Sequence, residues 1–189
     1  NDVNEAVLAA DKARDNWSSL SLDERRKWLE KIANALEARS EEIAKLESLD
    51  TGKPIKIARA VDASRSVANF RFFAEFSKDF HEQKFLMEDA TNHVIFKPVG
   101  IAGLITPWNL PLYLLSWKIA PAIVMGNTVV AKPSELTPLT ANLLAEVFDE
   151  VGLPAGVVNI VHGFGHETGQ AIVSHPLVNL ISFTGGTIT

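Results

Sequence analysis

The feature that most constrains this chain is an alternation that begins near residue 100. Residues 100–105, 127–131, 157–161 and 178–183 form short, almost wholly apolar runs, and segments of helical periodicity lie between them. A strand with no polar alternation belongs in a sheet covered on both faces, and a helical crossover returns the chain parallel to the strand it left. The pattern predicts an α/β fold: a Rossmann-like parallel sheet. A doubly wound sheet without a nucleotide is the alternative architecture.

The helices between these strands have readable ends. Pro111 opens one that runs to about residue 125, with a kink expected at Pro121. Thr137-Pro138 reads as an N-cap followed by proline in the first turn, and that helix closes at Gly152. A third is expected over residues 167–174.

Residues 1–83 read as an N-terminal helical layer, opening at Asn1. Ser21 and Glu24 form an S-x-x-E capping box ahead of Leu22, Leu29, Ile32 and Leu36. Ser40 starts a second amphipathic stretch with Ile43 and Leu46, and Thr51-Gly52-Lys53-Pro54 is a stop signal. A further helix carries Ile57, Val61, Ser64, Ala68, Phe72, Phe76 and Phe80 on one face, expected to be core. Residues 84–98 form an extended arm, with a strand over 91–97 ended by Pro98. Residues 99–189 form the sheet core. A sheet that stops after Gly185-Gly186-Thr187, and a chain that starts at Asn1 rather than Met, lead to the expectation of a fragment truncated before a catalytic domain.

Composition removes several classes of function. A net charge of -5 argues against nucleic acid, which asks for a basic face. No apolar run approaches a membrane span, and no leader segment is visible. With no cysteine, the 189 residues hold no disulfide, no thiolate metal site and no cysteine nucleophile. No metal site is expected, and a reducing compartment, the cytoplasm, is.

Three segments carry candidate chemistry. Residues 163–169, Gly-Phe-Gly-His-Glu-Thr-Gly, follow a strand and precede a helix, as a dinucleotide loop does. Their G-x-G-x-x-x-G spacing is one residue too long, and Phe183-Thr184 stand where a ribose-binding carboxylate is expected, so a tight turn explains them equally well. Lys132-Pro133-Ser134-Glu135 lies just past a strand's carboxyl end, where ligands of parallel sheets bind. Glu135 can accept from ribose hydroxyls and Lys132 can donate to them; a solvated loop is the other reading. Asn109 in Thr106-Pro107-Trp108-Asn109 is either an ordinary turn residue or an oxyanion donor stiffened by Pro107 and Pro111. Lys118 interrupts an apolar helix and must snorkel, pair or serve the site.

Together these segments resemble the aldehyde dehydrogenase superfamily. The resemblance runs through residues 100–109, 117–122, 126–135, 156–161 and 183–187, and the opening helices with Thr51-Gly52-Lys53-Pro54 fit as well. Val67-Ala68-Asn69-Phe70-Arg71-Phe72-Phe73 and residues 109–115 are similar to its muconic-semialdehyde branch.

The resemblance implies NAD, with NADP as the alternative, and oxidation of an aldehyde, a semialdehyde in that branch, to a carboxylate. Asn109 would donate to the oxyanion and Lys118 would serve a charge relay. Lys132 and Glu135 would hold the adenosine ribose, with Ile105, Thr106, Pro107, Trp108, Ser134 and Phe183 along the cofactor. Gly165 and Gly169 would lie beside the adenine and its helix, and Gly185, Gly186 and Thr187 at the pyrophosphate. Most family members carry serine where Gly186 stands, so backbone contact alone is implied there. The implied partners are a small-molecule aldehyde and further copies of the chain, a homodimer or homotetramer joined through the 84–98 arm. The family's cysteine nucleophile and glutamate base lie beyond residue 189, so this chain alone is expected to be inactive. An inactive NAD-binding or structural module is the second hypothesis.

Overall fold

The computed structural model describes residues 2–187. Asn1 and the chain beyond Thr187 lie outside the described residues. The chain begins with α1 (Asp2–Ser19), α2 (Leu22–Ala38) and α3 (Ser40–Thr51). Both halves of the capping box form: the Ser21 hydroxyl accepts from Glu24 N at 3.2 Å, and the Glu24 carboxylate accepts from Ser21 N at 2.7 Å. Gly52 ends α3 in the left-handed region at φ 74°, which a residue with a Cβ enters only with strain.

The chain resumes as α4 (Ile55–Ile57), a π-helical turn (Ala58–Ala63) and α5 (Ser64–Phe76). Here the structure corrects the expected core face. Phe72 and Phe76 are more than half exposed, and Ile57 nearly so. The inward face is instead Ala58, Asp62, Ala63, Ser66, Val67, Asn69, Phe70 and Ala74. Its polar members are buried because each finds a partner: Asn69 Nδ2 donates to Tyr113 O at 3.0 Å and to Ser116 Oγ at 2.9 Å, both on α6.

An antiparallel hairpin follows, β1 (Gln83–Leu86) with β2 (Thr91–Val94), and every residue of it is exposed. The arm is thus a two-stranded ribbon, where the sequence predicts one strand.

The sheet comprises β3 (Ile101–Ile105), β4 (Thr128–Lys132), β5 (Val158–Ile160) and β6 (Val178–Phe183), all parallel, in the order β5-β4-β3-β6. Alternate residues feed two cores, as a period of two requires. Ala102, Leu104, Val129 and Ala131 face the large core built with α2, α3, α5, α6 (Pro111–Val124) and α7 (Leu139–Glu150). Ile101 and Val130 face the other way, onto Val3, Val7 and Ala10 of α1. Gly103 permits the close approach of α8 (Gln170–Val173): a Cβ there would stand 2.6 Å from Ile172 Cγ2.

Helix α6 runs from Pro111 to Val124 with Pro121 inside it, as expected. Three expectations are modified. β3 and β4 are buried, but β6, at the edge, leaves Leu180, Ile181 and Phe183 exposed, so the sheet is not covered along its whole width. Thr137 does not cap α7; Asp50, at the end of α3, accepts from Leu139 N at 2.9 Å, so the cap comes from across the fold. The glycine-rich segment winds as a π-helical turn from Gly165 to Gly169, so its helix starts two residues earlier than predicted. Among the described residues, no helix is long and apolar enough to cross a membrane.

Candidate functional site

The carboxyl ends of β4, β3 and β6 lie side by side, and the loops leaving them enclose a cleft of about 550 Å³. From β3 come Ile105, Thr106, Pro107, Trp108 and Asn109; from β4, Lys132, Ser134 and Glu135; from β6, Phe183, Gly185 and Gly186; and Gly165 closes one side. Three predicted residues stand off its lining: Lys118, Gly169 and Thr187. Leu114 and Thr184 line the cleft without having been predicted.

Backbone hydrogen bonds extend the ladder past the strand ends and hold the rim. Thr106 N donates to Lys132 O and Thr184 N donates to Ile105 O, each at 3.1 Å. The Thr106 hydroxyl is buried and has no partner among the described residues.

Lys132 is buried almost to its tip. Its ammonium donates to Pro133 O at 2.9 Å and to Glu135 Oε2 at 3.0 Å. Glu135's own backbone N–H, and then the Lys132 ammonium, hold its carboxyl below the usual glutamate range despite partial burial. The pair therefore presents a fixed carboxylate beside a fixed ammonium at the cleft wall. A Cβ added at Gly169 would stand 3.7 Å from Lys132 Cδ, an ordinary van der Waals contact.

Asn109 lies on the same cleft lining, exposed, and its carboxamide has no hydrogen-bond partner among the described residues. Its carbonyl accepts from Lys53 Nζ at 3.4 Å. Lys118 points from α6 to β6, where its ammonium donates to Ser182 Oγ at 2.7 Å; burial pushes its pKa down.

Gly165 and Gly186 are informative because the protein itself does not demand them. Neither has a positive φ, and a Cβ at either position would meet open space. A glycine without a conformational or packing reason, facing a cleft, suits close approach of a ligand to its backbone. A second hollow, of about 600 Å³ between α2, α3 and α5, is comparable in size. Its charged rim is satisfied internally, Glu37 with Arg71 and Glu41 with Arg59.

Sequence reasoning also missed Glu47, Lys53 and Asp62, which meet behind Asn109. The available signal was positional: Glu47 follows Ile43 by four residues on the buried face of α3, and Asp62 follows Ala58 by four. A carboxylate on an apolar face needs a partner.

A parallel sheet whose strand ends gather a Lys-Glu pair, unforced glycines and a proline-bracketed Asn is the arrangement of a nucleotide-binding α/β protein. The chain belongs to the aldehyde dehydrogenase family, whose profile matches residues 1–189. It is 54% identical over 191 residues to the 2-aminomuconic semialdehyde dehydrogenase of Danio rerio, covering 100% of this chain and 39% of that protein. It is 46% identical over 195 residues to the 2-hydroxymuconic semialdehyde dehydrogenase of Pseudomonas sp. (strain CF600), covering 100% of this chain and 40% of that protein. An NAD+ complex of aldehyde dehydrogenase from Bacillus cereus superposes with a TM-score of 0.95 at 41% identity, over 98% of this chain and 38% of that one. The chain thus spans about two fifths of the length of these relatives.

Proposed function

We propose that this chain is the NAD-binding part of an enzyme that oxidises an aldehyde of the muconic-semialdehyde class to a carboxylate. The observation that carries the reading is convergence: the Lys132–Glu135 pair and Asn109 open onto one cleft at the ends of adjacent parallel strands.

The groups present fit a dinucleotide. A ribose offers neighbouring hydroxyls, each donor and acceptor. Glu135 is an anchored acceptor, and the third proton of the Lys132 ammonium has no acceptor among the described residues. Gly165 and Gly186 leave backbone accessible to phosphate and base. When bound, NAD supplies the hydride acceptor.

The chain's own residues bind, orient and polarise. Lys132 and Glu135 fix the ribose, and Pro107 and Trp108 wall the cleft against water. Asn109 donates its carboxamide N–H to the substrate oxygen as negative charge gathers there. The nucleophile and the base that hydrolyses the acyl intermediate are assigned outside these 189 residues, which hold no cysteine. The exposed β1–β2 hairpin is assigned to self-association, as a homodimer or homotetramer.

Calorimetric titration of the full-length protein with NAD tests the reading. Saturable binding is expected, weakened about tenfold or more by Lys132→Met, a loss of roughly 1.4 kcal/mol. Absence of saturable binding, or an unchanged Kd in the variant, would overturn it.

A further inference from the structure

Behind Asn109 lies a buried ionic cluster that the cleft does not itself use. Glu47 on α3 and Asp62 in the π-helical turn are fully buried. Lys53, in the link after Gly52, sits between them, with Nζ 2.8 Å from Asp62 Oδ1 and 3.8 Å from Glu47 Oε2. Two carboxylates and one ammonium make a poor stabilising device, because desolvation is repaid only when every lone pair is used. Here Glu47 Oε2 and Asp62 Oδ2 have no hydrogen-bond partner among the described residues. Burial, reinforced by the charge of Asp62, pushes the Glu47 carboxyl above the usual glutamate range.

What the cluster grips is the main chain at both ends of one short segment. Glu47 Oε1 accepts from Leu112 N at 3.0 Å and from Thr140 Oγ1 at 2.9 Å. It thereby satisfies an orphan donor at the start of α6, whose own N-cap, Leu110, has no side chain to do so. Three residues earlier, Lys53 donates to the carbonyl of Asn109. Since the Asn109 carboxamide has no partner of its own among the described residues, its direction follows from its backbone.

We propose that Glu47, Lys53 and Asp62 are positioning residues for the oxidation: they fix the main chain of residues 109–112 and so aim the Asn109 carboxamide. This rests on the assignment of Asn109 as oxyanion donor made above. An oxyanion donor acts only when it points where the charge develops, and a displacement of about 1 Å in a reacting constellation costs on the order of a hundredfold in rate. If the cluster merely braced the junction of α3, α6 and α7, its loss would lower stability and leave turnover per folded molecule intact.

The test uses full-length enzyme with NAD and, as probe, 2-hydroxymuconic semialdehyde. Lys53→Met and Glu47→Ala should each lower kcat by about tenfold or more while changing the Kd for NAD by less than about twofold. Glu47→Gln keeps an oxygen for Leu112 N and Thr140, and should recover most of what Glu47→Ala loses. The deciding comparison repeats Lys53→Met in an Asn109→Ala background, where it should cost less than about a further twofold, because the group it aims is gone. Equal losses in both backgrounds, or full kcat in folded Lys53→Met, would overturn the proposal. Should Lys53→Met not fold, the Glu47→Ala and Glu47→Gln pair in the same two backgrounds decides it by the same criterion. Wild-type kcat in Asn109→Ala alone would instead remove the oxyanion reading beneath it. A loss in Asn109→Ala with none in Lys53→Met or Glu47→Ala removes only the positioning role.

Discussion

The Lys132 ammonium stands 3.0 Å from Glu135 Oε2, with the lysine almost wholly buried and the carboxylate about one-third exposed. The buried partner anchors the exposed one, so Glu135 faces the cleft as a charge that cannot easily turn away. A carboxylate so held accepts from a ribose 2′-hydroxyl but repels a 2′-phosphate in the same place.

Glu135→Gln should therefore shift cofactor preference. Size and one acceptor are kept and the charge is lost, so NAD binding weakens modestly and NADP binding improves. The ratio should move toward NADP by about tenfold, or roughly 1.4 kcal/mol. Dissociation constants for both cofactors, in wild type and variant, check this. An unmoved ratio would return Glu135 to the status of a surface loop residue.

Asn109→Ala in the full-length enzyme should lower kcat by about two to three orders of magnitude, the usual loss for one oxyanion donor. The Kd for NAD should hardly change, because the ribose is assigned to Lys132 and Glu135 and the Asn109 carboxamide to the substrate oxygen. Normal kcat with weakened NAD binding would show that Asn109 serves the cofactor instead.

Much of this was legible because local signals and tertiary structure agree. The apolar runs near 101, 129, 158 and 180 became four parallel strands, and Ser21 and Glu24 capped the helix they precede. Asn109, Lys132 and Glu135 stood out because strand ends are where such sheets gather ligands, and the fold brings all three to one cleft. What was not legible depends on partners distant in sequence. The inward face of α5 carries Asn69, and the groups that satisfy it lie 44 and 47 residues away on α6. Apolar counting therefore chose the Phe72–Phe76 face. The cap of α7 likewise comes from Asp50, 89 residues earlier, and no local reading of Thr137-Pro138 contains it. Lys53 read as part of a helix stop, and its ion pairs exist only once α3 and the π-helical turn are side by side.

The 189-residue chain, purified alone and verified by mass, should show no aldehyde oxidation above background. Asn109 is its proposed carbonyl-polarising group, but the chain has no cysteine to attack a carbonyl. Following NADH absorbance with a panel of aldehydes is the measurement. Reproducible turnover would mean that a residue within the chain supplies the nucleophile, contrary to the chemistry proposed here.

Glu47 should make the stability of the fold depend on pH. Its neighbours are Lys53 after α3, Asp62 in the π-helical turn, Leu112 N on α6 and Thr140 on α7. Burial and then the Asp62 charge raise its pKa; Leu112 N–H, the Thr140 hydroxyl and Lys53 oppose them without prevailing. The lysine is closer to Asp62, which explains why it does not compensate Glu47 fully. A carboxyl whose folded pKa exceeds its unfolded value binds more protons when folded. Stability is then greatest below the unfolded value, falls as pH rises toward the folded one, and is level above it. Glu47→Gln removes that titration while keeping an acceptor for Leu112 and Thr140. The variant should gain stability relative to wild type as pH rises from the ordinary glutamate range, and the gain should plateau once wild-type Glu47 is ionised. Urea unfolding of both proteins across a pH series measures the difference. A stability difference that stays flat with pH, or that moves toward wild type, would mean that Lys53 satisfies Glu47 after all and that the cluster is balanced.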